Sequence, residues 1–336
     1  MPNYEPPFQL TSPILRLVAD ICERLGRLSI TSALPHSPRL RRENRIRSIH
    51  ASLAIENNTL SVAQVTAVFD GKRVLGIPRE IQEVRNAILA YEALEQWRPE
   101  RVGDLLAAHR LLMTGLVDSC GTFRQAGVGI YREATLVHMA PPANRVMTLV
   151  DDLLGWVKRT EAHPLIASCV FHYEFEFIHP FDDGNGRMGR LWQTLILSQW
   201  QPLMAFMPVE TLIHARQAEY YQALSAADKA GDATVFVEFM LRALLDVVTE
   251  IESGVAEADS QASGEKGSEK SSEKGSEKGS EKILQLLRHA PGMPARQLAE
   301  HLGTSARAVE KQLASLQRQG RLQRIGAPRG GHWKVL

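Results

Sequence analysis

A run from Glu252 to Lys282, ESGVAEADSQASGEKGSEKSSEKGSEKGSEK, limits this chain more than any other segment. It holds no aromatic residue, and Glu265, Glu269, Glu273, Glu277 and Glu281 recur every four positions. That spacing stacks like charges on any helix, and the interleaved Gly and Ser lower helix propensity further. Nothing in the run can bury apolar surface, so it reads as a flexible, solvated linker. Its period is far too short for a solenoid. The 336 residues therefore divide into a large unit before the linker and a small one, residues 283–336, after it.

Ahead of the linker the pattern is helical. LRRENRIRSIHASLAIENN places Leu40, Ile46, Ile49 and Leu53 at helical spacing and stops at an Asn pair. REIQEVRNAILAYEALEQW, RVGDLLAAHRLLMTGL, ANRVMTLVDDLLGWVKRT, HPLIASCVFHYEFEFI, GRLWQTLILSQW and VFVEFMLRALLDVVTEI continue it. The exception is GVGIYREATLVHMAPP, residues 127–142, where β-branched residues alternate before a Pro-Pro stop; this predicts a short hairpin in an otherwise helical domain. The expected organisation is an N-terminal helical region over residues 1–100, a core over 101–250, the linker over 252–282 and a C-terminal domain over 283–336.

The C-terminal domain reads as three helices, EKILQLLRHA, PARQLAEHLG and SARAVEKQLASLQRQG. Two short strands, RLQRI and HWKVL, follow around a glycine-rich loop, GAPRGG. Helix, helix-turn-helix and a terminal ribbon make a winged-helix pattern. Residues 281–336 carry ten Lys and Arg against three Glu, a balance of +7 in a chain whose net charge is +1. Such asymmetry suits nucleic-acid binding, with Arg307 and Lys311 on the exposed side of the third helix as candidate DNA contacts.

Cys22, Cys120 and Cys169 are far apart, odd in number and outside any CxxC arrangement, which argues against a disulfide framework and for small buried residues in a reducing compartment. The N-terminus has no basic stretch followed by an apolar core, and no apolar run approaches the ~20 residues of a membrane helix. A cytoplasmic location without membrane association is the expectation.

The densest chemistry lies in HPFDDGNGRMGR, His179–Arg190. Gly184, Gly186 and Gly189 let backbone amides approach a ligand closely, and a helix beginning there offers an anion site. Arg187 and Arg190, three apart, share one face of that helix and can clamp further negative charge. Asp182 and Asp183 beside an anion site call for a hard cation such as Mg²⁺, which prefers one or two carboxylates plus phosphate oxygens. His179 precedes all this, and an imidazole is the side chain most often used as a general base. The segment looks like a nucleotide polyphosphate site with a base beside it, and it is not a Walker loop, because GxxxxGK[ST] is absent.

At every specified position this segment resembles the Fic family motif, HPFx[D/E]GNGRxxR. The likeness extends through DGKRVLGIPREIQEVRNAILAYEAL and GTFR to most of residues 10–245, with no departure at a catalytic position. It implies a mainly α fold, a Fic-type helical domain with a short β-hairpin flap, joined here to a small α+β winged helix. It also implies transfer of AMP from ATP to a protein hydroxyl, self-modification included. His179 would deprotonate the acceptor and Asp183 would hold Mg²⁺ between the α- and β-phosphates. Asn185 and the amides of Gly184, Gly186 and Gly189 would cradle the phosphates, with Arg187 and Arg190 on the outer ones. The flap, with Val128, Gly129, Ile130, Tyr131, Leu136, Val137 and His138, would dock a target segment by strand addition. Tyr220 and Tyr221 fall where the family forms its adenine pocket, and ordinary helix packing explains them equally well. Far upstream, SLAIENN fits the family's inhibitory pattern, [S/T]xxxE[G/N], on a helix of about residues 42–57. Ser52, Glu56 and Asn57 supply it, and Glu56 would pair with Arg190 in place of the γ-phosphate.

Three alternatives stay open. The chain is a DNA-binding regulator with an accessory Fic domain, its winged helix equally able to dock protein; or a Fic enzyme that removes AMP, with Glu56 orienting water; or a relative with other chemistry. Gly186 speaks against the Doc-type kinases, which carry Lys there. A homo-oligomer is compatible with all three. His172 reads as a core residue, and His109 and His214 receive no role, lacking a carboxylate or Cys at ligand spacing.

Overall fold

The computed structural model describes residues 4–31, 37–132, 135–253, 283–288, 290–302, 306–318, 320–325 and 332–335. The chain forms two compact units, Met1–Val255 and Ala256–Leu336. The repetitive run after residue 253 and the GAPRGG loop lie outside the described residues.

In the first unit α1 (Ser12–Thr31), α2 (Pro38–Ile55), α3 (Val62–Phe69), α4 (Pro78–Glu92) and α5 (Val102–Met113) precede a two-stranded sheet. After β1 (Gly129–Arg132) and β2 (Thr135–Met139) come α6 (Ala143–Arg159), α7 (Pro164–Ile178), α8 (Asn185–Trp200), α9 (Val209–Ala215), α10 (Gln217–Ala230) and α11 (234–253). The boundaries follow local chemistry. Pro38, Pro78 and Pro164 open their helices at a position whose N–H has no intrahelical acceptor. Ser61 and Gln64 close a reciprocal capping box on α3. At the end of α2, Asn57 takes the left-handed conformation, φ 68°, that the Asn pair in the sequence anticipates.

Helices α7 and α8 are buried over most of their length, polar residues included, and they form the centre of the unit. Trp192 of α8 is fully buried, donates Nε1–H to the Pro99 carbonyl at 3.0 Å and stacks on Trp97. Ile46, Ile49 and Leu53 of α2 and Val84 and Tyr91 of α4 belong to the same core as Phe171 and Trp192. Helices from residues 1–100 thus share one core with the helices that follow them. Cys169 is buried, whereas Cys22 and Cys120 are only half-buried, contrary to the expectation for all three.

The hairpin is antiparallel, pairing Gly129 with Met139, Ile130 with His138, Tyr131 with Leu136 and Arg132 with Thr135. The register slips between Ile130 and Tyr131, so Val137 is the additional residue of a bulge.

The second unit has helical residues 283–288, then α12 (Ala295–Leu302), α13 (Ala306–Arg318), β3 (Leu322–Ile325) and β4 (His332–Val335). The strands pair antiparallel from Leu322 with Val335 to Ile325 with His332. Ile283, Leu287, Leu298, Val309, Leu313, Leu316 and Leu322 make its core. Among the described residues no helix is long and apolar enough to cross a membrane.

One buried acid makes the core of the first unit pH-sensitive. Glu174 of α7 is 5% exposed and accepts a hydrogen bond from Tyr4 Oη at 2.7 Å. Burial pushes its carboxyl up, the Tyr4 bond opposes that and Asp228 adds to it. A folded-state pKa above the unfolded one gives stability at low pH that is lost as pH rises through the folded value. Glu174→Gln should therefore raise the melting temperature at pH 7.5, with the gain shrinking toward pH 4. A gain independent of pH would exclude ionisation as its cause.

Candidate functional site

The site begins where α7 stops. His179 is the left-handed C-cap of that helix, φ 49° and ψ 61°, and its N–H still reaches the Phe175 carbonyl. A β-carbon-bearing residue adopts this conformation at a cost of about 1–2 kcal/mol, so the surroundings must impose it. Asn185 does part of this. Its Oδ1 accepts from the Phe181 N–H at 2.9 Å and its Nδ2 donates to the Phe181 carbonyl at 2.8 Å. The expected phosphate cradle thus has the Asn185 side chain turned inward, 2% exposed, as the staple of its own loop. Gly184, φ 87°, is the N-cap of α8, and a β-carbon there would lie 2.7 Å from Met113 Sδ. The first-turn amides of α8 have no intrahelical acceptors. Gly189 meets a different need: a β-carbon would press on Glu176 and His172, so it permits close packing of α8 on α7.

Cations and acids alternate along the opening. Asp183 Oδ1 accepts from Gly184 N–H at 2.6 Å and from Arg187 Nη2 at 2.9 Å, while Oδ2 faces Arg79 Nη2 at 3.3 Å. Arg187 Nη1 lies 3.5 Å from Glu83 Oε1. Arg187 is 5% exposed, and its Nε and Nη1 are buried without a hydrogen-bond acceptor among the described residues. Those donors suit an incoming anion. Asp182 accepts from Ser119 Oγ at 2.8 Å. Glu176, half-buried three residues before His179, has Oε1 3.7 Å from His172 Nε2. Burial opposes its charge, but the neighbouring His172 and the fields of His179 and Arg190 prevail and hold its pKa low.

Arg190 is 2% exposed and held through its Nε and Nη2. Its Nε donates to Ser52 Oγ at 3.0 Å, and its Nη2 donates to the Ser52 carbonyl at 2.9 Å and to Glu56 Oε1 at 2.7 Å. Burial opposes the charge, yet Glu56, Tyr220 and Glu176 more than offset it and hold the pKa above the usual arginine range. Glu56 approaches so closely that a β-carbon on Gly186 would sit 2.5 Å from its Oε1. Ser52 and Glu56, predicted from a seven-residue pattern, thus meet Arg190 across 138 and 134 positions of sequence; Asn57 turns the chain away behind them.

The tyrosines separate. Tyr220 is 2% exposed with its hydroxyl 3.1 Å from His172 Nε2, so helix packing accounts for it. Tyr221 is half-buried and lies in the field of Glu56 and Arg190. His172 is the expected core residue, with Nδ1 2.7 Å from Gln193 Oε1. In the flap the backbone of Val128, Gly129, Ile130, Tyr131, Leu136, Val137 and His138 forms the predicted hairpin; side chains from Ile130 through His138 lie outside the described residues. Arg307 and Lys311 fall on α13, and their side chains are likewise outside them.

Four residues escaped the sequence reading: Arg79, Glu83, Arg124 and His109. The last was assigned no role, and the structure corrects that. Gly121 N–H donates to His109 Nδ1 at 2.9 Å, so Nε2 carries the hydrogen and donates to the Asp183 carbonyl at 2.9 Å. The ring stacks on Phe181 with centroids 3.6 Å apart, and burial pushes its pKa down, favouring this neutral form. Ligand spacing was the wrong test, because His109 binds backbone. Among the described residues no group of three or more His, Cys, Asp or Glu could hold a metal unaided. Asp183 is 39% exposed, so its carboxylate fits a hard divalent ion whose shell phosphate oxygens would complete.

The Fic/DOC family pattern matches residues 100–197, and a helix-turn-helix domain pattern matches residues 280–332. A Fic family protein of known structure from Desulfovibrio desulfuricans G20 is 50% identical, over 99% of this chain and 98% of that one, with a TM-score of 0.74. A second structure, Fic-1 of Caenorhabditis elegans, shares the fold at 24% identity and a TM-score of 0.60, over 73% of this chain and 72% of that one. Among curated relatives, the Protein adenylyltransferase fic-1 of C. elegans is 29% identical over 244 residues, 68% of this chain and 45% of that protein. The Protein adenylyltransferase Fic of Culex quinquefasciatus is 28% identical over 216 residues, 60% and 40% respectively. This chain spans less than half the length of these curated relatives.

His109→Phe keeps the stack on Phe181 but strands one N–H and one carbonyl in the loop. It should lower unfolding stability by about 1–3 kcal/mol, read as a fall in urea midpoint at unchanged m-value. A midpoint that does not move would remove His109 from the loop's support.

Proposed function

The chain belongs to the Fic family, and from that premise we propose that it is a self-inhibited protein adenylyltransferase. It transfers AMP from ATP to a Ser, Thr or Tyr hydroxyl of a target protein, itself among them, and releases pyrophosphate. The observation that carries this reading is the 2.7 Å pair of Glu56 with Arg190, set directly over the glycine-rich start of α8.

In this reading the amides at the start of α8 and the spare donors of Arg187 hold the polyphosphate. Asp183 is the carboxylate that would hold a divalent ion, which would supply neutralisation of phosphate charge. His179 takes the proton of the acceptor hydroxyl. The oxygen bonds the α-phosphorus, and the bond from that phosphorus to the bridging oxygen breaks in line, so the electron pair leaves with pyrophosphate. Positioning and charge stabilisation do most of the catalysis in such transfers. Tyr221 edges the adenine side, and the hairpin receives the target segment by strand addition. Glu56 occupies the cation meant for the γ-phosphate, as one carboxylate competing with phosphate for one guanidinium.

Glu56→Gly should raise AMP transfer by about 10- to 100-fold, the range of an ordinary coupling energy. It is read as a gain of one AMP in intact mass, and His179→Ala in that background should abolish the gain. Equal turnover with and without Glu56 would end the inhibitory assignment, and a phosphate-sized gain would end the adenylyl one.

The helix-turn-helix match over residues 280–332 favours DNA as a partner of the second unit. Arg307→Ala and Lys311→Ala should each weaken duplex binding and reduce its salt slope by about one. Absence of duplex binding at low salt would make this unit a protein-docking module.

A further inference from the structure

Arg124 is a 1%-exposed guanidinium that lies in the field of Asp182 yet gives its hydrogen bonds to main-chain atoms. Its partners are backbone carbonyls drawn from two places. On one side its Nε donates to the His179 carbonyl at 2.7 Å and its Nη2 to the Ile178 carbonyl at 3.2 Å, while its own N–H donates to the Pro180 carbonyl at 3.0 Å. These are consecutive carbonyls at the end of α7, where a helix leaves acceptors unpaired and its dipole favours a cation. On the other side its Nη1 donates to the Ala126 carbonyl at 2.8 Å and its Nη2 to the Pro141 carbonyl at 2.6 Å. Ala126 and Pro141 flank the hairpin, just outside the Ala140 N–H to Val128 carbonyl bond that closes it.

We propose that Arg124 is the positioning residue that joins both ends of the hairpin to the His179 turn, so that the acceptor-binding strand and the base move as one rigid piece. This deepens the adenylyltransferase reading and rests on it for the roles of hairpin and base. Arg124 makes no bond to Asp183, Arg187 or Arg190. It serves the acceptor half of the site and leaves the nucleotide half alone. A planar fork with several donors is what this arrangement uses, and a lysine ammonium cannot span the same carbonyls.

The test has two arms. In the unmutated full-length chain, native-state hydrogen exchange across a denaturant series should give the Ala140 and Arg124 amides one common opening free energy and slope. These amides report on the hairpin base and on the catalytic turn respectively, and two separate isotherms would overturn the proposal whatever the enzyme's chemistry. In the Glu56→Gly background, Arg124→Lys and Arg124→Met should cut AMP self-transfer about 100-fold while the dissociation constant for ATP with Mg²⁺ stays within about threefold, as one buried hydrogen-bonded charge lost on one side only. Self-transfer within threefold of the parent, or nucleotide affinity falling in step with transfer, would overturn it. If Glu56→Gly itself transfers nothing, the adenylyltransferase reading fails, and the exchange arm still decides whether Arg124 couples the two segments.

Discussion

Everything in the site is arranged around a positive charge taken out of water. Arg190, 2% exposed on the central helix α8, would be costly to bury without partners. Ser52 supplies two acceptors, Glu56 a carboxylate, and Glu176 a standing negative field from α7. Because Ser52 and Glu56 sit at the end of α2, that helix must dock against α8 for the charge to be satisfied. Four helices are thereby committed to one another by a single guanidinium: α2, α7, α8 and, through Tyr220, α10.

The His179 turn is built on a related principle, backbone satisfied at long range. A histidine at φ 49° persists because Asn185 fastens Phe181, His109 fastens the Asp183 carbonyl, and Arg124 takes the carbonyls of residues 178–180. Backbone conformations that a side-chain-bearing residue resists are kept only where their surroundings over-determine them. Here they hold a half-buried imidazole a few residues ahead of the first-turn amides of α8.

How much of this the sequence displayed follows from separation along the chain. His179 to Arg190 is contiguous, so its residue types, its glycines and the helix that starts inside it could be read together. Glu56 was found through a resemblance, since nothing in a helix end with one glutamate indicates a partner 134 residues away. The hairpin was visible because its β-branched alternation interrupts a helical pattern. Arg79 and Glu83 were not, because a charged pair at i, i+4 on a helix normally means a solvated face, and only the fold brings it against Asp183 and Arg187. Arg124 and His109 bind main-chain atoms, which carry no side-chain signature. Asn185 was read as a ligand group although its shape better suits an internal staple. Tyr220 was ambiguous because aromatic burial and base stacking use the same residue.

The double grip of Ser52 on Arg190 has one more implication. Should Glu56 swing aside, the two Ser52 bonds can keep the guanidinium in place. Under the proposed reading, inhibition is then an exchange of anions on a fixed cation, with no new site to assemble. A tethered group competes with an effective concentration on the order of millimolar or more. Under that reading nucleotide relieves the brake only as far as its own contacts outweigh the tether, so a partner that draws the end of α2 from Arg190 would act on the same exchange.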